Sequence, residues 1–393
     1  MPFYSRGLVE KRLSDLWQPF LFFEKITPDI STFNISLKNV KLKKMNRFHS
    51  FKIKEVIRET PQAVSLSFEI PGKLQNDFQF YAGQYITIKT LIDDIEIRRA
   101  YSLCSAPDSD EFKVTVKEVE GGSFSKIANN KLVSGDILEI YPPEGKFILK
   151  SEGRIKNYAA FVAGSGITPV ISIIKTVLRD EPQSKFVLIY GNKSPEDTIF
   201  FKELLELQAK HSNRLFIEFA YSRKREKNAY YGRIEKSLVN YVIKNKFKDY
   251  PFDAFYLCGP EPMIDLVTDV LKENDVQEKQ IHFELFMSTA EEKEIKSDLT
   301  GKTQVSIRID KEDFEFSMDK KEVVLDRALE DDIDVPYSCQ NGNCSSCMAR
   351  VTEGKVEMNK NQILTDEEIE EGFILTCQAH PTTPTLKIDF DDL

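Results

Sequence analysis

Six cysteines stand at positions 104, 258, 339, 344, 347 and 377, and four of them crowd into the last quarter of the 393-residue chain. Cys339, Cys344 and Cys347 follow the spacing C-x4-C-x2-C, and Cys377 follows after 29 intervening residues. Two irons need four thiolates, and this is the spacing of a [2Fe–2S] site in which one tight loop supplies three of them. Gly342, Ser345 and Ser346 are small enough to let backbone amides approach and hydrogen-bond to the sulfurs. A zinc site would want two paired C-x2-C units, and only Cys344–Cys347 is such a pair. A Rieske centre would replace two cysteines by histidines. Here all four are cysteine, and His380, close after Cys377, is expected to be an ordinary surface residue.

Two further stretches carry chemistry upstream. Arg99-Ala100-Tyr101-Ser102-Leu103 combines a group that pairs a diphosphate, a ring that stacks and a hydroxyl that hydrogen-bonds to a ring nitrogen. Lys117 and then Gly121-Gly122-Ser123-Phe124-Ser125 follow. Glycines at a helix start leave amides free for phosphate, although Gly-Gly also serves ordinary turns. Gly164-Ser165-Gly166-Ile167-Thr168-Pro169 follows an apolar run, with Thr168 the expected N-cap and Pro169 the expected first helical residue. It departs from the G-x-G-x-x-G fingerprint because Pro169 replaces the last glycine. Ser222-Arg223, with Lys224 and Arg225 behind, is either a solvated basic loop or a site for a 2′-phosphate. Cys258, in Tyr256-Leu257-Cys258-Gly259-Pro260, is either a buried strand-end thiol or part of a reacting centre.

The elements that must position these groups fall into three rhythms. Short alternating strands from Phe51 to about Lys150, punctuated by turn residues, predict an antiparallel β-barrel. Strands alternating with helices from Ala159 to Glu273 predict a parallel sheet with helices on both faces. Alternation returns at Val305, before the cysteine loop. The expected order is an N-terminal extension (1–44), a barrel (45–150), an α/β domain (151–286), a linker (287–302) and a cysteine domain (303–393). The extension holds the single tryptophan, Trp17, in the apolar stretch Leu16–Phe23. That stretch is a membrane-surface or partner contact, or an upstream addition without a role, with Met45 as the functional start.

Together these stretches resemble the ferredoxin–NADP reductase superfamily, and the last 91 residues resemble a plant-type ferredoxin. The resemblance implies a multidomain fold: an antiparallel β-barrel flavin domain, an α/β NAD(P) domain and an α+β (β-grasp) ferredoxin domain. It implies FAD held by Arg99, Tyr101, Ser102, Leu103, Lys117, Gly122, Ser123 and Ser125. It implies NADPH, rather than NADH, held by Gly164, Gly166, Thr168, Pro169, Ser222, Arg223, Gly259 and Pro260. Ser102, Cys258 and Glu284 would then stand at the hydride-transfer centre. Cys339 and Cys344 would hold one iron, Cys347 and Cys377 the other. Cys104 receives no role.

This arrangement belongs to the oxygenase-reductase branch, which includes reductase subunits of phenylacetyl-CoA epoxidases and of ketosteroid hydroxylases. The implied function is electron transfer from NADPH through FAD and the cluster to an oxygenase. A desaturase or electron-carrier protein as acceptor, or a redox-sensing module, are the rivals. A hinge at the linker would let the ferredoxin domain swing, so shortening it should slow cluster reduction or acceptor turnover.

Charge adds to this picture. The net charge of -9 argues against a general nucleic-acid binder. From Thr303 onward, 9 Lys and Arg face 21 Asp and Glu, so the acidity is concentrated there. That face is either solvated surface or a dock for a basic partner. No secretory signal or membrane-length apolar run is evident, and clustered thiols suit a reducing cytoplasm.

Overall fold

The computed structural model describes residues 48–149, 155–286 and 299–393. The expected N-terminal extension and most of the expected linker lie outside the described residues.

Six antiparallel strands form the first sheet: β1 (His49–Thr60), β2 (Ala63–Glu69), β3 (Tyr85–Ile92), β4 (Ile95–Ser102), β5 (Lys113–Lys117) and β6 (Ile137–Ile140). Their order is β4-β3-β6-β1-β2-β5. A bridge between Leu103 and Val114 joins the two ends and closes the barrel. Alternation explains its inside: Phe51 and Ile53 are buried while Lys52 and Lys54 face water. The β3–β4 hairpin turns on Asp93 and Asp94, both at positive φ (51° and 62°), as a tight two-residue hairpin requires. Helix α1 (Phe124–Asn130) plugs one end with Phe124 and Ala128.

The second sheet is parallel, in the order β10-β9-β8-β7-β11-β12. Its strands are β7 (Asn157–Ala163), β8 (Lys185–Asn192), β9 (Leu215–Tyr221), β10 (Tyr230–Tyr231), β11 (Ala254–Cys258) and β12 (Ile281–Glu284). Helices α2 (Ile167–Asp180), α3 (Phe201–Lys210), α4 (Lys236–Tyr241) and α5 (Glu261–Lys272) connect them. The middle of β7 and β8 is buried on both faces, which is why these strands read as continuous apolar runs. One apolar core joins this sheet to the barrel: Ala63, Ala82, Phe147 and Leu149 pack with Tyr158, Ile171 and Tyr256.

The third sheet is mixed. Five of its strands, β13 (Lys302–Ile309), β14 (Glu312–Asp319), β15 (Met348–Glu353), β17 (Phe373–Leu375) and β19 (Thr385–Asp389), take the order β14-β13-β19-β15-β17. A small pair, β16 (Val356–Met358) and β18 (Ala379–Pro381), lies apart. Helix α6 (Val324–Glu330) packs on the main sheet in the β-grasp manner, and α7 (Asp366–Glu370) is capped by Thr365 and Glu368. Its core, from Val305 to Phe390, contains no residue of the other two domains.

Two expectations about the C-terminal part need correction. Lys302, expected to end the linker, already pairs in β13. His380, expected at the surface, is buried, because β18 carries it inward where Asn359 meets its Nε2 at 2.9 Å.

Candidate active site

A cleft of about 420 Å3 opens where the three sheets meet. The end of β4 forms one wall with Arg99, Tyr101 and Ser102, and Lys117, Gly122, Ser123 and Ser125 form a second. Ser165 and Thr168, at the entry to α2, and Glu284, at the end of β12, come from the α/β domain. Cys339, Asn341, Asn343 and Cys344 close it from the cysteine loop. A larger, more open hollow of about 950 Å3 lies elsewhere on the barrel, but it shares no lining residue with these groups. Chemistry follows the convergent polar side chains rather than the size of the hollow.

The barrel supplies shape. Tyr101 packs its ring 5.5 Å from that of Phe124 and is half-buried. Ser125 Oγ accepts the Val119 N–H at 3.3 Å. A Cβ on Gly122 would lie 2.3 Å from Ser125 Oγ and 2.7 Å from a Val119 methyl, so a side chain there would displace both. Arg99 makes no ion pair among the described residues, and its guanidinium is held by donating to the Arg98 carbonyl at 2.7 Å. Leu103 does not line the cleft: its side chain is fully buried in the barrel core, because it is the residue that closes the barrel.

The parallel sheet reverses its strand order between β7 and β11, the crevice where ligands bind in open α/β sheets. Gly164 (φ +55°) and Gly166 sit at the end of β7. A Cβ on Gly166 would lie 2.2 Å from the Cys258 carbonyl oxygen, so glycine lets α2 start hard against β11. Thr168 is not the N-cap. Gly166 takes that place, because a short 3-10 turn leads into the helix, and Thr168 Oγ1 turns back to donate to Ser165 O at 3.0 Å. Pro169 is therefore the third helical residue, where its missing N–H still costs no bond. Gly259 and Pro260 lead into α5, with Pro260 its N-cap.

Parallel register sets Cys258 beside Glu284 on the neighbouring strand. Ser102 Oγ donates to Glu284 Oε2 at 3.3 Å, across the boundary between the domains. Burial raises the Glu284 carboxyl from its ordinary 4.5 to about 8, with the Ser102 hydrogen bond offsetting part of the rise. Burial, and then the Glu284 charge, push the Cys258 thiol well above its ordinary value.

Ser222 and Arg223 lie outside this cleft, after β9, where their amides bond to the Asn192 and Lys193 carbonyls. Lys224 is engaged by Glu196 (2.6 Å) and Glu226 (3.2 Å), and Arg225 lies 4.1 Å over the Tyr231 ring. Arg223 is exposed and has no ion pair among the described residues.

In the cysteine loop, Cys339 and Cys344 lie near enough to shift each other's ionisation, as do Cys347 and Cys377. The neighbouring Cys344 thiol, and then amides of Asn341, Asn343 and Cys344, hold the Cys339 thiol below its ordinary value against its burial. Gly342 (φ +68°) is a close approach: a Cβ there would lie 2.8 Å from the Lys360 carbonyl oxygen. Among the described residues no three His, Cys, Asp or Glu side chains converge on one ion. Two thiol pairs instead fit a centre of two irons with two thiolates each.

Tyr85 has no signal in the sequence beyond its place in a strand. It stands opposite Ser102 in the β3–β4 register and lines the same cleft. Its phenol is fully buried and meets Ser346 Oγ at 3.0 Å and Ser345 Oγ at 3.3 Å.

Three families match this chain in order: the Oxidoreductase FAD-binding domain over residues 50–148, the Oxidoreductase NAD-binding domain over 161–269, and the 2Fe-2S iron-sulfur cluster binding domain over 307–382. The fold and site thus define an oxidoreductase built from flavin, nicotinamide and iron–sulfur domains. The chain belongs to the ferredoxin–NADP reductase superfamily, in its branch with a fused [2Fe–2S] domain. It is 35% identical over 352 residues to a component of the 1,2-phenylacetyl-CoA epoxidase of Escherichia coli, covering 88% of this chain and 99% of that one. It is also 35% identical over 350 residues to the ferredoxin reductase component of 3-ketosteroid-9-alpha-monooxygenase from Rhodococcus rhodochrous, covering 86% and 95%. Among solved structures, phthalate dioxygenase reductase shares the fold, with a TM-score of 0.55 at 24% identity over 87% of this chain and 98% of that one.

Proposed function

We propose that this chain takes electrons from NADPH and delivers them to the oxygenase component of a phenylacetyl-CoA epoxidase. The observation that carries the electron path is the single cleft walled by the Arg99–Ser102 stretch, by Glu284 and by Cys339 and Cys344. When bound, FAD accepts a hydride from the nicotinamide and releases electrons singly, and the [2Fe–2S] centre carries them one at a time.

The residues do the positioning. Arg99 and the glycine-bounded turn at Gly122–Ser125 suit the flavin diphosphate, and Tyr101 the flavin ring. The opening of α2 between Gly164 and Pro169, with Gly259 and Pro260, suits the nicotinamide diphosphate. Arg223 suits a 2′-phosphate, because Lys224 is already neutralised. Glu284 holds a proton on its carboxyl at neutral pH and accepts from Ser102, so no bare charge faces the reacting atoms. The four thiols suit the cluster, and such a set belongs in the cytoplasm. Among the described residues no helix is long and apolar enough to cross a membrane.

Anaerobic titration with NADPH tests the path. Bleaching of a flavin band and of a broader iron–sulfur band is expected. Bleaching of the flavin alone would remove the cluster from the path. The ketosteroid monooxygenase reductase is equally similar in sequence. Turnover with purified oxygenase components of both kinds therefore decides the acceptor.

A further inference from the structure

The C-terminal domain meets the barrel along a polar seam. Arg98 donates to Asp334 at 2.8 Å, the Tyr337 hydroxyl meets Glu96 at 3.4 Å, and Lys146 pairs with Glu368. Tyr85 belongs to the same seam. Strand β3 carries it, and the chain returns past it at Glu144: the two residues exchange both backbone hydrogen bonds, at 2.9 and 2.8 Å. That pairing sets the phenol and the carboxylate side by side. Gly145 (φ +115°) follows, and a Cβ there would lie 3.0 Å from two ring atoms of Tyr85, so the chain passes close against the ring. Both side chains converge on the cysteine loop. The Tyr85 hydroxyl meets Ser346 Oγ at 3.0 Å and Ser345 Oγ at 3.3 Å, and Ser346 Oγ meets Glu144 Oε2 at 3.0 Å.

Counting protons fixes the direction of these bonds. A carboxylate only accepts, so the single hydroxyl proton of Ser346 goes to Glu144. Ser346 then accepts from Tyr85. With the phenol proton spent, Ser345 is the donor in the remaining bond, to the Tyr85 oxygen. Tyr85 and Ser346 are each only 5% exposed, so water does not compete freely for these bonds. Ser345 and Ser346 are the two residues between Cys344 and Cys347, next in sequence to two of the cluster's thiolates. A donor turned onto a cluster sulfur favours the more negative, reduced state and so raises the potential. In this loop both hydroxyl protons are drawn to the barrel instead, and Glu144 adds a negative charge beside them.

We infer that Tyr85 and Glu144 are positioning residues for the cluster: they hold the Ser345 and Ser346 hydroxyls away from its sulfurs and so keep its reduction potential low. The inference rests on the [2Fe–2S] assignment of the cysteine loop. In each transfer the reduced flavin loses one electron and one ferric iron gains it. Tyr85, Glu144 and the two serines exchange neither electrons nor protons in that step. A low potential tells at the far end of the path, because the reduced cluster then passes its electron on with more driving force. The barrel thus sets how strong a reductant the neighbouring domain is.

The midpoint potential of the cluster tests this. It is read by mediated dithionite titration, with EPR of the reduced centre, in the full-length holoprotein, and FAD and iron content are measured for each variant. Tyr85→Phe keeps the ring against Gly145 and frees the Ser345 proton. It should shift the one-electron equilibrium toward the reduced cluster by about threefold or more, which is about 28 mV at about 59 mV per tenfold. Glu144→Gln should shift it the same way, because a negative charge is removed. Ser345→Ala alone should leave the equilibrium within about twofold of the unaltered protein, and Tyr85→Phe on that background should lose most of its effect. No shift in Tyr85→Phe, or an equal shift with and without Ser345, would overturn the inference. So would a fall of about threefold in Ser345→Ala, since Ser345 would then be donating to a sulfur already. Should Tyr85→Phe fail to fold, Glu144→Gln must still raise the potential and Ser345→Ala must still leave it unmoved, or the inference fails. Dithionite replaces NADPH in this titration, so a failure of the proposed electron path shows separately, as a cluster that NADPH does not bleach.

Discussion

Burial changes the chemistry of Glu284 at the cleft. Its folded-state value of about 8 lies above the ordinary 4.5, so the folded protein binds this proton more tightly than the unfolded chain. The stability that this contributes is fully present below the unfolded value and is lost as pH climbs through the folded one. Between about pH 5 and pH 9 the protein should therefore lose stability relative to Glu284→Gln, by on the order of a few kcal/mol. Denaturant unfolding of both proteins across that range checks this, and a pH-independent gap would mean an ordinary ionised carboxylate. Arg223 poses a question of selectivity. Arg223→Glu should lower kcat/KM for NADPH by about tenfold or more while NADH changes little, because only NADPH carries the 2′-phosphate. An equal loss with both nucleotides would remove Arg223 from that role.

At the scale of elements, the junction of β7, α2 and β11 depends on backbone contact. Gly166→Ala sets a Cβ against the Cys258 carbonyl and should cost about 1–3 kcal/mol and weaken NADPH binding, while FAD is retained. Gly72→Ala, with no atom within 4 Å of its Cβ, is the neutral control in thermal unfolding. The same junction shows how legible the sequence is. Strand Ile137–Ile140 was readable to the residue, and α2 nearly so, because apolar period and turn residues are local signals. The entry into α2 was not, since Thr168 and Pro169 look like a cap and a first turn until the 3-10 turn at Gly164–Gly166 shifts the register. The cysteine loop announced itself through spacing alone. Tyr85 did not, because its partners Ser345 and Ser346 lie about 260 residues away and nothing local marks that contact. His380 was misplaced for the same reason: burial is decided by what packs on β18, not by neighbours in the chain.

For the whole molecule, the distribution of cores decides how it comes apart. Barrel and parallel sheet share apolar packing, and the C-terminal domain does not. In urea, release of FAD and loss of NADPH binding should follow one midpoint, and bleaching of the cluster another. Coincidence of all three would mean that the polar seam couples the domains more tightly than its chemistry suggests. The self-contained core also bears on ancestry. A domain that brings its own interior, and touches its neighbour through a handful of charges and hydroxyls, can be exchanged between genes without rebuilding either interior. Asp334 must find Arg98, Tyr337 must find Glu96, Ser345 and Ser346 must find Tyr85, and Glu368 must find Lys146. A lineage could thus acquire a new electron customer by altering one surface, leaving the flavin and nicotinamide machinery inherited intact.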